Sequence, residues 1–134
     1  MGRLAFTSTD SLNGIYVVVV DSESERRALV TGMLLYCGAL VTPAATPEAA
    51  LAIMELLKPD AVVVDLSMSN DGALVFIRGL RALKPDEGGM VPVVAVGDGS
   101  IPAELIRSRG VDAYVEKPLE PWQLCRIVVT VLTG

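Results

Sequence analysis

The sequence contains no histidine. Every mechanism that needs an imidazole on this chain, as base, metal ligand or phosphohistidine, is thereby excluded. Aromatic residues are scarce, at 4%, while 51% of residues are hydrophobic. The core must therefore be built from Val, Leu, Ala and Ile, which suits helices packed on buried parallel strands. No apolar run reaches the ~18 residues that a bilayer span requires. Residues 1–14 (MGRLAFTSTDSLNG) are polar and turn-rich, without a signal-peptide core. A soluble, cytoplasmic protein with no membrane contact is expected, its first 14 residues a flexible extension of a single domain over 15–134. The two cysteines, Cys37 and Cys125, lie in helical patterns and form no C-x-x-C pair. They read as small buried hydrophobes. Net charge is −5 and the cations do not cluster, which argues against direct nucleic-acid binding.

What is present is a repeated alternation. Residues 15–20 (IYVVVV) form a continuous β-branched run ending at Asp21, as expected of a strand covered on both faces. A helix follows, capped by Ser22 or Ser24, acidic in its first turn and stopped at Gly38. A short strand (ALVTPAA) leads to a second helix with Thr46 as cap and Pro47 in its first turn, ended by Pro59. The third strand is 61–64, and the third helix is DGALVFIRGLRALKP, closed by Pro85. The turn DEGG precedes a fourth strand, VPVVAV, which ends at Gly97-Asp98-Gly99. A short helix (IPAELIRSRG), a fifth strand (VDAYVE) running into Lys117-Pro118, and a last helix (EPWQLCRIVVTVL) complete the chain. Five strand–helix units in succession specify an α/β doubly wound parallel sheet.

In such a sheet, ligands bind outside the carboxyl ends of the strands. Those ends carry Asp21, Asp65, Gly97-Asp98 and Lys117. If strands one, three, four and five are neighbours, the four converge on one crevice. That gives a reason for a run of valines to end on a carboxylate, which is costly to bury unpaired. Two acids and a lysine could organise a hard cation such as Mg²⁺, and one acid could act as a nucleophile towards phosphorus. Taken singly, each acid is equally a cap or a turn former.

The segments VVVVD (17–21), PDAVVVDLSM (59–68), Asp71-Gly72, VPVVAV (91–96) and GVDAYVEKPLEP (110–121), in this order and spacing, resemble the receiver domain of two-component response regulators. The resemblance implies a flavodoxin-like sheet of strand order 2-1-3-4-5 with five helices. It makes Asp65 the acceptor of a phosphoryl group from a histidine kinase or phosphotransfer protein, and Lys117 its contact. Mg²⁺ is then organised by Asp21, Asp65 and the backbone carbonyl of Ser67. It also implies a regulatory module rather than an enzyme with turnover, acting through an output domain or by self-association over the strand-four to helix-five face.

The departures weaken that site. Ser22 stands where the family has a second acid, with Glu23 and Asp98 as the available compensating acids. Gly97 replaces the switch hydroxyl, although Gly97 and Gly99 also suit a tight turn. Tyr114 matches the switch aromatic, or is simply a packing residue. The loop after Asp65 is one residue short, with Ser69 in place of proline. Leu119 and Trp122 read as cover for the sheet. Weakly bound Mg²⁺ is therefore expected. Two other readings remain: a pseudo-receiver that binds partners regardless of phosphorylation, and a small aspartate-nucleophile phosphohydrolase using Asp21-Ser22-Glu23.

Overall fold

In a computed structural model, residues 11–133 are described. Five parallel strands, β1 (Tyr16–Val20), β2 (Leu40–Ala44), β3 (Ala61–Asp65), β4 (Val93–Gly97) and β5 (Ala113–Glu116), form one sheet in the order β2-β1-β3-β4-β5. The α-helices are α1 (Ser24–Tyr36), α2 (Pro47–Leu56), α3 (Gly72–Arg81), α4 (Ala103–Arg107) and α5 (Pro121–Thr133). No described helix is long and apolar enough to cross a membrane.

The period of two along each strand divides the interior. Val18, Val20, Val62, Val64, Val93 and Ala95 face Met54 of α2, Phe76, Ile77 and Leu80 of α3 and Ile106 of α4. Val17, Val19, Ala61, Val63, Val94 and Val96 face Val30 and Leu34 of α1 and Leu124 and Val128 of α5. Both faces are covered, so the three central strands need no polar positions until their ends. β2 is an edge, which is why Pro43, lacking an N–H, is tolerated in its register opposite Val19.

Several local expectations need correction. The cap of α1 is Glu23, not either serine: its carboxylate accepts from the N–H of Glu25 at 3.1 Å and of Arg26 at 2.7 Å. α3 ends at Arg81, short of its expected stop at Pro85, and a separate 3₁₀ turn follows at Pro85–Glu87. The domain reaches further towards the N-terminus than position 15. Leu12 is fully buried and its N–H donates to the Cys37 carbonyl at 2.8 Å; residues 1–10 lie outside the described residues. Trp122 is 48% exposed and does not cover the sheet, whereas Leu119 packs on the α1/α5 side. Cys37 and Cys125 are buried as expected but joined in a disulfide, with Cα atoms 6.6 Å apart across 88 residues of sequence. Their partnership arises because α1 and α5 share one face of the sheet, which residue spacing does not reveal.

Candidate functional site

Asp21 directly follows β1 and Asp65 is the last residue of β3. They are the buried charged residues of the described chain, 1% and 4% exposed. Lys117 directly follows β5. Its N–H donates to the Gly97 carbonyl at 2.8 Å, which extends the β4–β5 ladder and brings the ammonium across to β3. Lys117 Nζ lies 3.0 Å from Asp65 Oδ2 as an ion pair. That oxygen is buried, and the ion pair with Lys117 is its principal contact. The other oxygen, Oδ1, accepts the Ser67 N–H at 2.7 Å, which fixes the carboxylate plane. Ser67 thus enters the site through its N–H, and through its hydroxyl 3.5 Å from Lys117 Nζ.

The arrangement contains one residue that pattern reasoning missed. Arg26 donates from Nε to Asp21 Oδ2 at 3.0 Å and from Nη2 to Oδ1 at 2.9 Å, a bidentate pair. The same Nε lies 3.7 Å from Asp65 Oδ2. The hydrogen bonds it donates to Asp21 raise the guanidinium's already high pKa further, against the effect of burial and helped by the acids around it. Arg27 Nη1 donates to the Asp21 carbonyl at 2.8 Å. A signal was present in the sequence. Two arginines in the opening turns of a helix face the positive end of its macrodipole, which is unfavourable unless acids nearby compensate. With Arg26 and Lys117, the two buried carboxylates meet two cations.

The remaining candidates fall around this quartet. Glu23 spends both carboxylate oxygens on the α1 cap, while its own N–H donates to Asp21 Oδ1 at 3.0 Å. Asp98 is turned into its own loop, accepting the Ser100 N–H at 2.9 Å. Bonds from Ser100, side chain first and backbone second, hold its carboxyl below the usual range. Tyr114 is half-buried, with its hydroxyl accepting the Gly99 N–H at 2.9 Å. It walls a cavity of about 160 Å³ with Leu66, Ser67, Gly97, Asp98 and Ile101. The loop after Asp65 turns through two consecutive left-handed residues, Asn70 (φ 56°) and Asp71 (φ 53°). Asn and Asp tolerate that region better than most residues.

An acid-and-lysine crevice at the carboxyl ends of a 2-1-3-4-5 sheet defines a receiver-type module, and the comparisons agree. Residues 17–129 match the family described as response regulator receiver domain, and the chain belongs to it. An uncharacterised 14.6 kDa protein of Leptolyngbya boryana is 30% identical over 115 residues, covering 84% of this chain and 86% of that protein. A hybrid signal transduction histidine kinase of Dictyostelium discoideum is 26% identical over 85% of this chain, which spans only 7% of that relative. Among solved structures, chemotaxis response regulator CheY4 of Vibrio cholerae superposes with TM-score 0.77 at 22% identity, over 88% of this chain and 98% of its own. The receiver domain of a sensor histidine kinase of Pseudomonas aeruginosa, crystallised with magnesium in its active-site cleft, superposes with TM-score 0.79 at 22% identity, over 90% and 99%. At such identities these structures speak for the fold alone.

Receiver domains are regulatory, serve two-component signalling and generally bind Mg²⁺ in this cleft. The residues of this chain do not fit that ion as they stand. Both Asp21 oxygens are engaged by the guanidinium, Ser22 supplies no carboxylate, and no cluster of three or more His, Cys, Asp or Glu side chains among the described residues could hold a metal.

Proposed function

We propose that this chain is a two-component receiver module in which Asp65 accepts a phosphoryl group from the phosphohistidine of a histidine kinase or phosphotransfer protein. The observation that carries the reading is the Lys117–Asp65 pair, with the ammonium 3.0 Å from the buried carboxylate at the end of β3. In the step, the P–N bond of the donor breaks as a P–O bond forms to the Asp65 carboxylate, and the electron pair leaves with the imidazole nitrogen. The Lys117 ammonium balances charge on the transferring oxygens. Ser67 N–H holds Oδ1 and so fixes the plane of the carboxylate. The phosphohydrolase alternative is disfavoured because Glu23, its second acid, is committed to the helix cap.

A second reading, partner binding without phosphorylation, is favoured by one feature: Gly97 offers no hydroxyl to follow a phosphoryl group. Intact mass after incubation with a small phosphodonor decides between the two. A single added phosphoryl that disappears in Asp65→Asn supports the acceptor. No adduct, under conditions that phosphorylate another receiver in the same tube, favours the second reading. An adduct that persists in Asp65→Asn means that another residue is the acceptor.

A further inference from the structure

We propose that Arg26 is a built-in replacement for the divalent cation, so that this receiver holds its acidic pair together without metal. Three independent observations converge. The guanidinium spans both acids, with Asp21 held at 2.9 and 3.0 Å and Asp65 Oδ2 at 3.7 Å. The charge balances: with Arg26 and Lys117 present, Asp21 and Asp65 leave no deficit for an added cation to fill. Finally, the third acid that would make room for a hard ion is missing. Position 22 is serine, and Glu23 turns outward to cap α1.

The physics favours arginine once it is in place. A planar fork matches a carboxylate bidentately, and a guanidinium is more weakly hydrated than a compact cation. Mg²⁺ demands octahedral oxygen ligands and gives up its water reluctantly. To enter here it would have to remove a bidentate partner from a buried carboxylate and leave the guanidinium beside a second positive charge. The position of Arg26 at the start of α1 runs against the helix macrodipole, a cost that the two acids offset. Arg26 therefore acts as a positioning residue: it holds Asp21 and Asp65 in one geometry whatever the metal concentration.

The inference does not depend on phosphoryl transfer, and its test reads metal binding directly, so either reading can fail alone. Melting curves of the full chain are compared in EDTA and in excess Mg²⁺. The wild type should shift by less than about 1 °C, whereas Arg26→Gln should melt lower in EDTA and recover by about 4 °C or more with Mg²⁺. Ser22→Asp with Arg26 retained should stay insensitive, and Ser22→Asp with Arg26→Gln should respond most. A saturable Mg²⁺ shift in the wild type, or a response in Ser22→Asp alone, overturns the proposal. So does a folded Arg26→Gln protein that ignores Mg²⁺, whatever its melting point. Should Arg26→Gln not fold, Mn²⁺ added to the wild type decides. Selective broadening of the Asp21, Asp65 and Leu66 amide signals overturns the proposal, and uniform signals support it.

Discussion

The ring of Tyr114 crowds the place where a side chain at Gly97 would begin. A Cβ at position 97 would lie 3.0 Å from Tyr114 Cε1, 3.1 Å from its hydroxyl oxygen and 3.3 Å from Leu66 Cδ1. The glycine and the inward aromatic are therefore one arrangement, and the Gly99 N–H fastens it at 2.9 Å.

Gly97→Ala should destabilise the protein by about 1–3 kcal/mol through overpacking. In a Tyr114→Ala background the same change should cost much less, giving a coupling of about 1 kcal/mol or more in a urea-denaturation cycle. Strictly additive costs would mean that the ring does not fill this space. A threonine at 97 enters only by expelling Tyr114, and loss of the Gly99 amide hydrogen bond would report it.

Acid should weaken the start of α1. The N–H groups of Arg26, and next of Glu25, hold the Glu23 carboxyl below its usual 4.5. A carboxyl whose pKa is depressed by folding contributes stability above its unfolded pKa, and that contribution is lost as pH falls through the folded value. Glu23→Gln should therefore be less stable than wild type at pH 7, and the gap should narrow below about pH 4.5. Melting curves over that range test this; a gap independent of pH would assign the cap to something other than the carboxylate charge.

Arg81 ties together the loops that aim β4 and β5. It donates to the Gly110 carbonyl at 2.7 and 2.9 Å, to Gly89 at 2.9 Å and to Val91 at 2.7 Å. It also pairs with Asp112 at 3.0 Å, whose same oxygen accepts the Val93 N–H at 2.8 Å. Arg81→Met keeps the apolar stem and removes the donors. It should cost about 2–3 kcal/mol, measured by denaturant unfolding. Arg81→Lys should restore less than half, since one ammonium cannot reproduce the fork. Full stability in the lysine variant would sink this account.

The sheet and the strand-end residues were legible because each rests on a local signal. Valine runs covered on both faces, helix caps and stops, and a polar residue at the end of an apolar run follow from neighbours in sequence. Thr46 capped α2 as expected, through the Ala49 N–H at 3.0 Å. What was not legible depended on side-chain direction or on partners distant in the chain. Whether Glu23 points into the crevice or back onto its helix is decided by competition with the Arg26 and Glu25 N–H groups, a matter of one rotamer. Arg26 reads as a solvated surface residue until α1 is docked on β1 and β2. The pairing of Cys37 with Cys125, and the burial of Leu12, likewise exist only once α1 and α5 lie side by side.

The quartet of Asp21, Arg26, Asp65 and Lys117 has an evolutionary consequence. Removing one member of a fully buried ion pair costs about 3–5 kcal/mol, because its partner is left uncompensated. Arg26 and Lys117 are 34% and 29% exposed, so the cost here is smaller, yet it falls on whichever member mutates first. Replacing all four at once by apolar residues of similar shape would avoid that cost, but single substitutions do not take that path. Selection for folding alone can thus keep the four residues together in a lineage that has stopped using them for signalling.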